Sequence, residues 1–251
     1  MREEAGRLDR GDGVELAWRR LPGAGPGVVF LGGFNSDMTG GKAAALAAHC
    51  AARGRAFLRF DYSGHGESGG RFVAGTIGGW TAEAAHVLAA LTAGPQILIG
   101  SSMGGWIALL LAQRLPARVA GLIGIAAAPD FVTRIEAALT PEARAALAAT
   151  GVWLRPSAYG DPYPIARALL EEGRRHLLLG EPIDIAAPVR LLHGQRDPDV
   201  PWQLSLEVAA KLAGEDVAIT LVKDGDHRLS RPQDLALLCR TLDALLGEDR
   251  G

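Results

Sequence analysis

Two serines stand where an apolar strand gives way to an apolar helix, in "ILIGSSMGGW", Ile97 to Trp106. Gly100-Ser101-Ser102-Met103-Gly104 fits G-x-S-x-G, the pattern of a nucleophile raised on a strand-to-helix turn. The turn is tight, so the residues two before and two after the nucleophile must be small. With Ser102 at the centre these flanks are Gly100 and Gly104. With Ser101 they would be Ile99 and Met103, which are too bulky. Ser102 is therefore the expected nucleophile, on strained backbone at a helix N-terminus that favours negative charge. A phosphate-cradling turn would bring a lysine or Gly-x-Gly-x-x-Gly spacing, and neither is present.

A serine hydroxyl needs a base to take its proton, and the base needs a carboxylate to orient it. Behind a turn of this kind the chain order is serine, acid, histidine. Of the six histidines, His49 and His86 lie in alanine-rich helical segments and His176 ends a basic one, "RRHLLL". His65 and His193 precede glycines at strand ends, too early in the chain or too close to the acid region. His227, in "KDGDHRLS", follows the last strand and precedes the last helix, and is the expected base. For the acid, "LLHGQRDPDVP" offers Asp197 and Asp199. The spacing His-Gly-x-x-Asp-x-x-Val-Pro fits Asp197, and Asp199 is the other candidate, with helix capping as its alternative role. A tetrahedral intermediate also needs two N–H donors for its oxyanion. Met103, after the nucleophile, supplies one. The loop "FLGGFNSDMTGGKA" supplies the other from Phe34, with Gly32 and Gly33 letting the backbone turn. The histidine that often opens this loop motif is Gly32 here.

These residues need a sheet to hold them. Short apolar runs at 27–34, 55–62, 95–100, 119–129, 188–194 and 216–222 read as strands. Helical patterns at 42–54, 76–94, 104–116, 202–214 and 231–247 alternate with them. That rhythm predicts a mostly parallel sheet with helices on both faces, and "GVELAWRRL" (13–21) adds an antiparallel edge. Residues 130–179 break the rhythm. They show no core strand, but Thr140-Pro141-Glu142 is a helix start. The expectation is one domain, 1–251, with 130–179 as a helical cap over the sheet's C-terminal edge, where open α/β sheets bind ligands. Phe131, Trp153, Tyr159 and Tyr163 would give that cap an apolar acyl site or serve equally as its packing.

Composition narrows the rest. A net charge of −2 favours neither nucleic acid nor an anionic membrane. No apolar run is long enough to cross a bilayer, and "MREEAGRLDRGDG" has no secretory core. Cys50 and Cys239 have no metal or redox spacing and read as reduced thiols of a cytoplasmic protein. No His, Cys and carboxylate cluster has ligand spacing, so neither metal nor cofactor is expected. The partner is a small-molecule or acylated substrate. Three lysines against many arginines and alanines read as GC-rich bacterial coding.

"FLGGFNSD", "RFDYSGHGES" (59–68), "GSSMGGW", "LLHGQRDPDVPW" and "GDHRLS" together resemble the α/β-hydrolase superfamily over essentially the whole chain. "FDYSGHGESGG", "GSSMGGW" and "DHRLS" look like the group of palmitoyl-protein thioesterases and acyl-glucuronide esterases with its bacterial relatives. The resemblance implies ester and thioester hydrolysis with Ser102, Asp197 and His227 as triad. It implies a structural loop at Asp61, Gly64, Gly66 and Ser68, with His65 either facing the pocket or serving only the loop. A perhydrolase or carbon–carbon bond hydrolase on the same triad, or a non-catalytic binding protein of the same fold, are the other readings. A dehalogenase would need Asp in place of Ser102.

Overall fold

A computed structural model describes residues 2–157 and 160–247. The strands and helices in chain order are β1 (Glu4–Asp9), β2 (Glu15–Leu21), β3 (Ala24–Leu31), α1 (Gly41–Ala52), β4 (Arg55–Phe60), α2 (Ile77–Leu91), β5 (Gln96–Ser101) and α3 (Met103–Arg114). There follow β6 (Val119–Ile125), α4 (Phe131–Ala137), α5 (Pro141–Thr150), β7 (Val152–Ser157), β8 (Gly160–Ala166) and α6 (Arg167–Gly173). The chain closes with β9 (Val189–Gly194), α7 (Gln203–Lys211), β10 (Val217–Val222) and α8 (Pro232–Leu245).

Eight strands form one sheet in the order β1-β2-β4-β3-β5-β6-β9-β10. From β4 to β10 every pairing is parallel, and β2 joins β4 antiparallel. The predicted antiparallel edge is therefore real, but it is one strand deeper than expected. β1 pairs antiparallel outside β2 and is the true edge. Its sequence, EAGRLD, is polar and mostly exposed, so it carries no apolar signal.

The central strands are buried on both faces, and β5 shows why such a strand is uniformly apolar. Ile97 and Ile99 pack into the cluster with residues of α1 and α8, while Leu98 packs into the opposite cluster with residues of α2, α3 and α7. Alternate residues of a strand point to opposite faces, so a strand covered on both sides has no polar side to offer. On the first face, Asp243 of α8 accepts from His49 Nε2 and Arg53 Nη2, both at 2.7 Å, and ties α8 to α1.

The excursion between β6 and β9 departs from the all-helical expectation. It contains α4, α5 and α6, but also an antiparallel hairpin of β7 and β8 that pairs with no other strand. Arg155-Pro156 and Asp161-Pro162-Tyr163-Pro164 hid these strands. Proline cannot donate to a ladder, but a two-stranded hairpin has two free edges on which that donor is not needed. Tyr159 lies outside the described residues. Both ends of the excursion are clasped by one side chain. Buried Asp130 accepts from the Leu178 and Leu179 amides, each at 2.9 Å. The far end is also anchored beneath: Trp106 Nε1 donates to the His176 carbonyl at 3.1 Å, and Glu172 accepts from Gly78 N at 3.0 Å.

The turn from β5 into α3 allows no side chain at its flanks. A Cβ on Gly100 would sit 2.2 Å from the Gly104 carbonyl oxygen, and one on Gly104 would sit 2.1 Å from that of Leu31. Both obstacles are backbone and cannot rotate away. Gly104→Ala should therefore lose about 2 kcal/mol or more of stability, in the range of a severe overpacking. Gly41→Ala, where a Cβ meets nothing within 4 Å, should stay within about 0.5 kcal/mol of the parent. Urea-unfolding midpoints of the two variants check this; equal midpoints would overturn the steric account of the turn.

Candidate active site

Ser102 stands between the last residue of β5 and the first of α3, with φ 54° and ψ −115°. A non-glycine residue held there is strained. Three contacts fix it: its amide donates to the Ile125 carbonyl at 2.9 Å, and its carbonyl accepts from Gly105 N at 2.9 Å and Ala128 N at 3.1 Å. Half-buried Ser102 lines a cavity of about 740 Å³ at the sheet's C-terminal edge. Ser101 has ordinary strand pairing with Ile125 and is buried.

His227 lines the same cavity. Its Nδ1 donates to Asp197 Oδ2 at 2.7 Å. An ionised carboxylate only accepts, so the proton sits on Nδ1 and a neutral His227 leaves Nε2 bare. The loops after β9 and β10 bring this pair together, 30 residues apart in the chain. A Cβ on Gly194 would meet the Gly225 carbonyl at 2.3 Å, so a glycine is required where the two loops touch. Asp199, the other acid candidate, is exposed and lines the cavity instead; its amide donates to Asp197 Oδ1 at 2.8 Å, as does that of Val200. Burial pushes the Asp197 carboxyl up. Hydrogen bonds from His193 and His227, the charge on His227 and the Val200 amide outweigh that and hold it well below the usual carboxylate range.

Asp197, Asp199 and His227 also bring ligand-type atoms within 4.8 Å of one another. That spacing alone would admit a cation. Yet four N–H groups already point at the two Asp197 oxygens, which suits an anion-stabilising network better than a metal ligand.

The loop after β3 forms the opposite wall, where Gly33 and Phe34 line the cavity. Met103 opens α3, so its amide is one of the unpaired donors of a helix N-terminus. The Phe34 ring makes edge contacts with Phe72, Trp80, Phe131 and Tyr163, at centroid separations of 4.8 to 6.0 Å. It links the loop to the sheet core on one side and to α4 and β8 on the other.

The glycine-rich segment after β4 holds that loop from behind. Asp61 accepts from Met38 N at 2.7 Å and Glu67 N at 2.8 Å. A Cβ on Gly66 would lie 2.1 Å from Asp61 Oδ2, and Ser68 Oγ donates to the Asp61 carbonyl at 2.6 Å. His65 is buried rather than in the cavity. Its Nδ1 faces the Ser63 carbonyl at 3.2 Å and must donate, so bare Nε2 accepts from the Asn35 amide at 3.3 Å. Burial pushes this imidazole's pKa down, which keeps the accepting nitrogen bare. The sequence signal for this contact was present only as a histidine beside glycines. On the other rim, Lys42 Nζ donates to the Arg228 carbonyl at 2.5 Å and lies 3.4 Å from Ser230 Oγ, bracing the turn that carries His227. Burial lowers its pKa to about 8.

Known proteins show what the chain is similar to. The family described as "Serine aminopeptidase, S33" (Hydrolase_4) matches residues 26–171. The mitochondrial palmitoyl-protein thioesterase ABHD10 of Mus musculus is 42% identical over 241 residues, covering 95% of this chain and 81% of the relative. A crystal structure of a putative hydrolase from Agrobacterium vitis S4 superposes with a TM-score of 0.92 at 43% identity, covering 97% of this chain and 98% of that one. The mouse alpha/beta hydrolase domain-containing protein 10 superposes with a TM-score of 0.90 at 41% identity, covering 98% and 99%. A match over more than half of the chain, and a relative this similar along nearly all of it, place the chain in the serine aminopeptidase S33 (Hydrolase_4) family of α/β-hydrolases.

Proposed function

We propose that this hydrolase cleaves carboxylic esters or thioesters through an acyl-enzyme on Ser102, with His227 as base and Asp197 as its orienting acid. The observation that carries the reading is the 2.7 Å bond from His227 Nδ1 to Asp197, on a histidine that shares one cavity with an elbow serine. Nε2 of His227 takes the Ser102 proton as Oγ attacks the carbonyl carbon. The Phe34 and Met103 amides receive the oxyanion. His227 then protonates the leaving alcohol or thiol, and water enters by the same route in reverse to release the acid. Anionic Asp197 favours the imidazolium formed in between. The enzyme acts where acylated small molecules reach the cavity. Among the described residues no helix is long and apolar enough to cross a membrane.

The segment from 130 to 179 serves in this reading as a cap that selects the acyl group. Phe131, Trp153, Tyr163 and Ile165 bring apolar surface to the cavity wall, although Arg134 and Arg155 stand among them. The mouse relative is named as a palmitoyl-protein thioesterase. A long acyl chain is thus the first substrate class to assay, with p-nitrophenyl esters and acyl thioesters of increasing length. Trp153→Ala should change chain-length preference several-fold while sparing acetyl ester turnover. An equal loss for acetyl and long-chain esters would remove the cap from specificity.

Ser102→Ala should lower kcat by roughly 10⁴-fold or more with the fold intact by circular dichroism, and a fluorophosphonate label should map to Ser102. An adduct on Ser101, or full activity of the variant, would sink the assignment. Asp197→Asn should lose far more activity than Asp199→Asn; the reverse order would transfer the acid role to Asp199.

His65→Leu deletes the acceptor of the Asn35 amide and frees the loop that presents Phe34. Its kcat should fall about tenfold with KM within about threefold, since loss of a transition-state donor's alignment acts on kcat. His65→Gln, which keeps an acceptor, should recover part of the loss. A His65→Leu enzyme with parental kcat would show that the loop holds its donor without this bond.

A further inference from the structure

His193 is the last residue but one of β9 and has no exposed surface, next to the Asp197–His227 pair. Its Nε2 lies 3.1 Å from Asp197 Oδ2 and 3.1 Å from the Val200 carbonyl oxygen. Both partners only accept, so Nε2 carries a proton and shares it between them. Nδ1 lies 2.7 Å from Ser205 Oγ on α7, and this hydroxyl can donate to a bare nitrogen. A neutral Nε2–H ring thus gives both of its buried nitrogens a partner.

The consequence falls on Asp197. Its Oδ2 receives one N–H from His227 and a second from His193, while Oδ1 receives the Asp199 and Val200 amides. The carboxylate is held on both oxygens and cannot rotate about its last bond. Its charge is also divided between two imidazoles, of which only His227 reaches the cavity. We propose that His193 is a positioning residue of the active site: clamped by Ser205, it fixes the Asp197 carboxylate and limits how strongly that carboxylate holds a proton on His227. This rests on the triad reading given above.

Several other groups face this network. Asp199 is carried on the same loop, with its carboxylate within 4.8 Å of the His227 and Asp197 ligand atoms. Asp226 precedes His227 and accepts from Leu229 N at 2.9 Å. Lys42 contacts the backbone of the residue after His227. None of them replaces the His193 bond to Oδ2, which comes from a neutral donor that stays put as His227 changes charge.

The test is the pH profile of kcat/KM in purified full-length enzyme. Without the His193 donor, Asp197 is a stronger base towards His227, so His227 keeps its proton to higher pH. His193→Leu should move the acid limb up by about half a unit or more and lower kcat about tenfold, with KM within about threefold; this is the scale of one hydrogen bond to a charged group, partly expressed. His193→Gln can donate to Asp197 and accept from Ser205, and should return the limb to the parental position. A residue that only fills space would lower the melting temperature in the Leu variant and leave the limb where it was.

If His193→Leu does not fold, Ser205→Ala carries the test. The ring then loses the donor that fixes its tautomer, and the limb should move in the same direction by a smaller step. Nitrogen-15 shifts of the parental enzyme at pH 7 should show His193 as the neutral Nε2–H form. A parental limb in the variant that folds, or an Nδ1–H ring or imidazolium in those spectra, overturns the inference. An active Ser102→Ala would instead remove the triad reading itself. Inactive Ser102→Ala and Asp197→Asn beside a parental His193→Leu would remove the role of His193 alone.

Discussion

The backbone of one residue sets most of the other demands on the sequence. Ser102 occupies φ 54°, ψ −115°, a conformation an isolated chain avoids by about 1–3 kcal/mol. It persists because the surroundings leave no alternative. β5 is buried on both faces, α3 begins at once, and the Gly104 position presses against the Leu31 and Gly32 carbonyls at the end of β3. The same press brings the loop after β3 alongside Ser102, since a Cβ on Gly33 would sit 3.3 Å from the Ser101 carbonyl oxygen. The Ser102 hydroxyl and the proposed oxyanion wall are thus positioned by one close approach of backbone to backbone.

The second half of the site rests on a different kind of force. The loops after β9 and β10 are joined by charge. Asp197 is buried, and a buried carboxylate is costly unless it is fully hydrogen-bonded. Four N–H groups meet it, from Asp199, Val200, His193 and His227. Deleting one of them leaves an uncompensated charge rather than a merely weaker contact. The loop therefore has one low-energy arrangement, and that arrangement points His227 into the cavity.

The sequence made some of this visible and hid the rest for definable reasons. Gly100 and Gly104 are legible because a steric rule leaves only small residues at those positions. The buried strands are legible because a sheet covered on both faces has no polar side. β1 is not legible: an edge strand needs no apolar residue, and EAGRLD has one leucine. The β7–β8 hairpin is not legible either, since Pro156, Pro162 and Pro164 read as loop in a chain whose other strands carry no such density of proline. His65 and His193 both stand before a glycine. Their spacing says nothing of what holds them, because the Asn35 amide that donates to His65 lies 30 residues away and the Ser205 hydroxyl that donates to His193 lies on another element. Order along the chain picks out candidate residues; it cannot pick out what holds them still.

Phe34 couples the loop after β3 to the excursion. Its residue lines the cavity, and its ring touches Phe131 and Tyr163 of the excursion as well as Phe72 and Trp80 beneath. Aromatic rings in edge contact resist sliding, because each depends on the angle of its neighbours as well as the distance. Any occupant of the cavity that displaces Phe131 or Tyr163 must therefore push on the same ring that steadies the Phe34 amide. The excursion is clasped at both ends by Asp130, so it answers such a push as a unit rather than by fraying. In the proposed reaction, the fit of an acyl group under the excursion and the alignment of the donor for its carbonyl would be one mechanical problem. A substrate that fills the space without strain would leave that donor where the developing charge requires it.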